Sequence, residues 1–144
     1  MHSILVADYM DYNPHAVLAT TNIKDAVAMM LKENVIGVPV IDEGKQLIGY
    51  LSEQDCVKDM LNDAFHCQEP GQVATAMQTN VLSVSPDTSI VEIAETIMTN
   101  RPKNYPVIEH GKLVGLISRS DVLRALLENE EDCYFNKGKV GTVI

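Results

Sequence analysis

The sequence predicts an α/β fold of the α+β kind: two β-α-β-β-α repeats in tandem, each with a small mixed three-stranded sheet, packed about a pseudo-two-fold axis. Three observations predict it. Gly115-Leu116-Ile117-Ser118-Arg119-Ser120-Asp121 has the layout of an earlier stretch, Gly49-Tyr50-Leu51-Ser52-Glu53-Gln54-Asp55, and both read G-x-φ-S-x-x-D with φ apolar. An offset of 67 residues carries Val6-Ala7-Asp8-Tyr9-Met10 onto Val73-Ala74-Thr75-Ala76-Met77, and Asn13, Val17, Thr21, Ile23 and Pro39-Val40-Ile41 onto Asn80, Val84, Thr88, Ile90 and Pro106-Val107-Ile108. Finally, a sheet of three short strands is too small to bury its face alone, so the two copies are expected to press on each other.

Each copy opens with a short extended segment, Asn13 to Ala19 and Asn80 to Ser85; Pro86 biases its predecessor away from helix. A helix follows. Its apolar positions Ile23, Ala26, Val27, Met30 and Leu31 recur as Ile90, Ile93, Ala94, Ile97 and Met98, which defines one buried face. Asn22 with Asp25, and Ser89 with Glu92, supply its start signals, and it ends near Asn34 or Asn100. Val38 to Leu51 and Tyr105 to Ile117 then read as hairpins, with turns at Asp42-Glu43-Gly44-Lys45 and Glu109-His110-Gly111-Lys112. Pro39 and Pro106 are expected at edges or strand starts, because proline cannot donate to a ladder. After the turns one residue drops out, and an offset of 66 carries Gly49, Ser52, Asp55 and Leu61 onto Gly115, Ser118, Asp121 and Leu127. The last helix of each copy starts at the motif. The chain thus divides into a first repeat, 1–61, a polar connector with a Pro-Gly breaker, 62–72, a second repeat, 73–127, and a tail, 128–144. The tail opens with Glu128-Asn129-Glu130-Glu131-Asp132 and carries Tyr134 and Phe135; a frayed end and a segment docked on a partner subunit both fit it.

The motif places a hydroxyl and a carboxylate at a strand-to-helix junction. Unpaired N–H groups and a partial positive charge at a helix N-terminus attract phosphate, the serine adds a donor, and the aspartate can accept from a vicinal diol such as a ribose. The same spacing is also a capping box, in which serine and acid only satisfy the helix's own donors.

Composition narrows the function. The 144 residues are 46% hydrophobic and 22% charged, enough for a core in a soluble protein. Twenty acids against 11 bases, a net charge of -9, argue against a nucleic-acid or membrane-surface binder. No apolar stretch approaches the roughly 18 residues that span a bilayer, and the first residues do not read as a signal peptide. Cys56, Cys67 and Cys133 share no metal-binding spacing and suggest reduced thiols in a cytoplasmic protein. His2, His15, His66 and His110 are scattered, so no metal site is expected. No nucleophile-and-base set accompanies the motif, which argues against an enzyme.

V-x-D-x-M ahead of the first strand, the amphipathic helix, φ-P-V-φ-D/E before a glycine turn and G-φ-φ-S-x-x-D before the last helix, each present in two copies across residues 5–127, resemble a pair of CBS (cystathionine β-synthase type) domains, a stand-alone Bateman module. The resemblance implies a regulatory unit that needs no cofactor. It would bind AMP, ADP, ATP or S-adenosylmethionine in clefts between the repeats and signal to a separate protein target or through a homodimer. Carried over by position, one cleft would use Ser118, Asp121, Lys103 and Asn104, with Leu18, Ala19, Val35 and Ile36 around the base; the other would use Ser52 and Asp55 with Ser85 and Pro86. Arg101, Lys103 and Arg119 make the first of these the stronger expected phosphate site, since their counterparts are Asn34, Ile36 and Glu53. The motif hydroxyl is serine where threonine is common in the family, which keeps the donor. A second reading from a different class is an interaction or dimerisation module with vestigial, ligand-free clefts.

Overall fold

A computed structural model of the chain describes residues 4–67, 69, 71–99 and 102–130. The first repeat runs β1 (Val17–Leu18), α1 (Ile23–Glu33), β2 (Gly37–Ile41), β3 (Leu47–Ser52) and α2 (Glu53–Phe65). The second runs α4 (Ile90–Thr99), β4 (Asn104–Glu109), β5 (Lys112–Ser118) and α5 (Arg119–Glu128), and is preceded by the short helix α3 (Val73–Ala76) as the first is by a 3₁₀ turn, Val6–Asp8. Asn22 caps α1 by accepting the Lys24 N–H at 2.8 Å, and Asn34 closes it in the left-handed conformation, φ 57°. Ser89 Oγ accepts the Val91 N–H at 3.1 Å. α2 continues through Phe65, into the stretch read from sequence as connector.

The sheets are not equal. In the first, β1 pairs parallel with β2, and β2 antiparallel with β3. In the second, β4 and β5 pair antiparallel, while the expected first strand is reduced to one parallel bridge, Val84 to Val107. Pro86 explains the shortening: it stands where Ala19 does in the first copy and has no N–H to extend the ladder. Pro106 lies on the edge strand β4, as expected, whereas Pro39 departs from expectation, since β2 is the middle strand of its sheet. The two prolines lie third in β2 and β4, inside the strands. In an extended strand a residue's N and O point to the same side, and Pro106 O accepts the Val84 N–H at 2.9 Å, the first bond of that bridge. The ring nitrogen therefore faces the side on which no neighbour strand lies beyond Val84, and the missing donor goes unneeded.

Each repeat completes the other's core. Ile4, Val6 and Met10, from the head of the chain, pack with Ile90, Ile93, Tyr105, Val107 and Ile117 of the second repeat. Val73 packs with Ile23, Val38, Val40 and Leu51 of the first. The backbone follows the same exchange: Ala7 N–H donates to Pro86 O at 2.9 Å and, 67 residues on, Ala74 N–H donates to Ala19 O at 3.0 Å. The strand glycines of the repeated motif make this possible. A Cβ on Gly49 would lie 2.8 Å from Gln78 O, and one on Gly115 would lie 2.8 Å from Asp11 O.

The bridges between the repeats come in equivalent pairs, Leu5–Ser89 with Asn22–Gln72 and Asp11–Leu116 with Tyr50–Gln78. Gln46 pairs with Lys112, flanked by Leu47 N–H to Gly111 O (3.0 Å) and Leu113 N–H to Lys45 O (2.9 Å), two bonds that the offset of 66 exchanges. That contact of the two hairpin turns lies on the pseudo-two-fold axis.

Candidate functional site

The Ser-x-x-Asp junctions are formed alike in both repeats. Ser52 Oγ accepts the Asp55 N–H at 3.1 Å, while Asp55 Oδ2 accepts the Ser52 N–H at 3.1 Å and its hydroxyl at 2.8 Å. Ser118 and Asp121 repeat these bonds at 3.2, 2.9 and 3.0 Å. Both are capping boxes in the full sense. The first amide of each helix is also engaged, Glu53 N–H by Ile36 O at 2.9 Å and Arg119 N–H by Lys103 O at 3.0 Å. The second carboxylate oxygen differs between the copies. Asp55 Oδ1 accepts from the neutral Gln78 Nε2 at 3.2 Å, whereas Asp121 Oδ1 is held by the Arg124 guanidinium at 2.9 Å. Among the described residues Asp55 is therefore the junction carboxylate that is not paired with a cation.

A cavity of about 530 Å³ opens between the repeats on the Ser52 side. That is within the roughly 300–1,000 Å³ of small-molecule sites. The first repeat supplies Ile36, Tyr50 and the junction residues Ser52, Glu53 and Gln54. The second supplies Gln78, then Asn80, Val81 and Leu82 ahead of the Val84 bridge, and Pro102, Lys103, Asn104 and Pro106 around the start of β4. Tyr50 crosses the floor. Its ring lies where a Cβ on Gly37 would be, 2.7 Å from Cε2, and its hydroxyl accepts the Asn104 amide at 3.0 Å. Burial pushes the Tyr50 phenol above its ordinary pKa, an effect the Asn104 hydrogen bond opposes, so the hydroxyl stays neutral near pH 7. The wall is apolar at Ile36, Val81, Leu82 and the prolines, and among the described residues it carries one cation, Lys103, and one carboxylate, Glu53.

This geometry regroups the residues expected from sequence. Lys103, Asn104 and Ile36 line the cavity with Ser52, while Ser118, Arg119 and Asp121 do not line it. Leu18 and Ala19 lie elsewhere, in a shallow hollow of about 340 Å³ with Ile41, Asp42 and Ile48, at the turn end of the sheet. The reason is direction: β1 is parallel to β2 and pairs only with Val40 and Ile41, four residues beyond Ile36 and so roughly 13 Å along the strand. Ser85 and Pro86 are likewise displaced from the cleft. Ser85 Oγ accepts the Asp87 N–H at 3.1 Å in a turn, and Pro86 O holds the head of the chain. Val35 packs on the first core. Asp55 stands at the cavity's margin, bonded to the lining Gln78. Arg101 lies outside the described residues. The sequence reading missed Tyr50, Gln54, Gln78, Asn80, Val81, Leu82, Pro102 and Pro106. The extended segment was found, but the cleft is lined by its beginning and not by its end.

Duplicated α/β units that exchange their leading segments and enclose a cleft at their junction define a paired-repeat module able to hold a small molecule. The family model described as CBS domain matches residues 6–62 and 71–128, and the chain belongs to the CBS domain family. It is 35% identical over 132 residues to a zinc metalloprotease of Methanocaldococcus jannaschii, and 27% over 126 residues to an A-adding tRNA nucleotidyltransferase of Aquifex aeolicus. These matches cover 90% and 88% of this chain but only 35% and 15% of those proteins. Among solved structures, CBSX2 of Arabidopsis thaliana in complex with AMP superposes with a TM-score of 0.78 at 27% identity, covering 88% of this chain and 98% of that one. No helix among the described residues is long and apolar enough to cross a membrane.

Proposed function

We propose that this chain is a regulatory module that binds an adenosine monophosphate-type ligand in the cavity on the Ser52 side and transmits occupancy to a partner or to a second copy of itself. The observation that carries the reading is the cavity itself, whose walls come from both repeats and which combines an apolar slot, a serine and carboxylate at its mouth and one cation. A purine ring fits between Ile36, Val81 and Leu82; its ribose hydroxyls reach Asp55 and its phosphate meets Lys103. The AMP complex of CBSX2 supports the ligand class. Because the ligand touches both repeats, it favours whichever arrangement of the two fits it better, and that difference in affinity is the signal.

Charge orders the ligands. Lys103 shares the cavity wall with Glu53 in a chain of net charge -9, so each added phosphate meets more repulsion. The expected affinity order is AMP, then ADP, then ATP, with S-adenosylmethionine, which carries no phosphate, as a further competitor. Titration calorimetry on the full chain tests this, with Lys103→Ala and Asp55→Ala each weakening AMP roughly tenfold or more. Arg119→Ala and Asp121→Ala should leave the affinity within about a factor of two. Loss of binding in Asp121→Ala with none in Asp55→Ala would move the site to the other junction. No binding of any of these ligands would favour the interaction-module reading.

A further inference from the structure

A second groove lies along α2, against α3, with a volume of about 670 Å³. Its meaning comes from the other half of the molecule, where the equivalent place is filled. There Tyr9 lies beside α5: its hydroxyl donates to Glu128 Oε1 at 2.8 Å and accepts the Asn129 amide at 3.1 Å, and the Arg124 guanidinium sits 5.1 Å over its ring. The offsets of 67 and 66 carry Tyr9 to Ala76, Arg124 to Lys58, Glu128 to Asn62 and Asn129 to Asp63. The first half thus keeps the cation and keeps an acid and an amide side by side, in exchanged order, but has a methyl group where the ring should be. Lys58, Asn62 and Ala76 line the groove, Phe65 adds an exposed apolar wall, and Asp59 Oδ2 is buried without a hydrogen-bond partner.

We propose that the groove between α2 and α3 is a docking site for a tyrosine side chain presented by a basic segment of a partner protein. The phenol ring takes the place Tyr9 takes in the other half, beneath Lys58, with its hydroxyl donating to an α2 carboxylate and accepting from Asn62. The basic context follows from charge complementarity: Asp55, Asp59 and Asp63 stand along α2 against the single Lys58. The chain's own Tyr134 follows Glu130, Glu131 and Asp132, acids this rim repels. Gln78 lines both this groove and the cavity on the Ser52 side, so the two sites share a wall, but this proposal does not rest on the nucleotide reading.

The test is a nuclear magnetic resonance titration of the full chain with the blocked tripeptides Lys-Tyr-Lys, Lys-Phe-Lys and Glu-Tyr-Glu, following backbone amides. The expected result is saturable shifts centred on Lys58, Asn62, Phe65 and Ala76 with Lys-Tyr-Lys, and affinity roughly threefold or more lower for Lys-Phe-Lys, which lacks the hydroxyl. Glu-Tyr-Glu should bind more weakly still. Ala76→Tyr, which supplies the missing ring from within, should abolish the shifts while the circular dichroism spectrum is retained. If that variant does not fold, Asn62→Ala serves instead, and should lower the affinity for Lys-Tyr-Lys toward that for Lys-Phe-Lys. Absence of saturable shifts, equal response to all three peptides, or undiminished binding in the groove variant overturns the proposal. Stronger binding of Lys-Tyr-Lys by Tyr134→Ala than by the unsubstituted chain would mean that the chain's own tail occupies the groove, which overturns it as well.

Discussion

The Tyr105 hydroxyl lies inside the second repeat's core with no hydrogen-bond partner, on a ring that is fully buried. Burial raises its pKa, with the Arg119 charge acting the other way. Its counterpart in the first repeat, Val38, carries no polar atom. Since an unsatisfied buried hydroxyl costs its desolvation, Tyr105→Phe is expected to raise stability by about 1 kcal/mol, read from the urea midpoint. A loss of that size would mean the hydroxyl is bonded through water. Cys56 is buried too, and burial first, then the carboxylates of Asp55, Asp59 and Glu53, push its thiol from 9.0 up to about 11. A raised folded-state pKa means that the unfolded chain releases the proton first. The stability this contributes is intact below pH 9 and is lost as pH rises toward 11, on the order of 2 kcal/mol. Denaturation curves across that window should therefore flatten in Cys56→Ala, apart from a pH-independent loss from the smaller side chain. An unchanged slope would show that Cys56 does not titrate differently in the two states.

At the scale of elements, the motif glycine is a spacing device. Gly49 and Gly115 let the leading segment of the other repeat lie against the strand, with Met77 Sδ and Met10 Sδ at 2.7 and 2.9 Å from where a Cβ would be, and a carbonyl oxygen equally close. Gly49→Ala and Gly115→Ala should each cost roughly 1–3 kcal/mol in chemical denaturation, because a backbone carbonyl cannot move aside as a side chain can. A cost under about 0.5 kcal/mol would mean that the segments are held loosely. These elements also show what the sequence could and could not convey. The helices, hairpins and caps were legible because Ile23, Ala26 and Met30, or Asn22 at the helix start, act over one or two turns. The exchange of Val6 and Val73 was not, because apolar periodicity says that a side chain is buried and not in which core. The cleft was legible as a pair of Ser-x-x-Asp junctions. Assigning Lys103 to its junction required knowing that its carbonyl accepts the Arg119 N–H while the residue lines the cavity on the Ser52 side. Neither the parallel register of β1 that removes Leu18 and Ala19 from the cleft, nor the ladder ended by Pro86, could be read without the pairing.

At the scale of the whole molecule, both halves leave apolar side chains on the outer faces of their helices at equivalent positions. Leu31 on α1 and Val57 and Leu61 on α2 are exposed by 54–74%, and Met98 on α4 with Leu123 and Leu127 on α5 by 67–84%. Val57 and Leu61 are one turn apart, as are Leu123 and Leu127, so each pair forms a stripe and not a scatter. A duplicated molecule with two matching stripes can satisfy both at once by pairing with a second copy across a two-fold axis, since a closed symmetric interface leaves neither stripe exposed. We therefore expect a homodimer formed through α1, α2, α4 and α5. Burying a Leu61 or Leu127 side chain contributes roughly 1.5–3 kcal/mol, and an aspartate there faces a desolvated carboxylate as well. Sedimentation equilibrium should find the wild-type chain dimeric at micromolar concentration, and Leu61→Asp or Leu127→Asp weakened by roughly a hundredfold or more, with the monomer still folded by circular dichroism. If AMP occupancy is transmitted through this interface, the dimer constant should shift with ligand, and by linkage the AMP affinity should shift by the same factor on dilution to monomer. A wild-type chain that sediments as a monomer would leave both stripes for a different protein, and the signal would then have to pass through that partner alone.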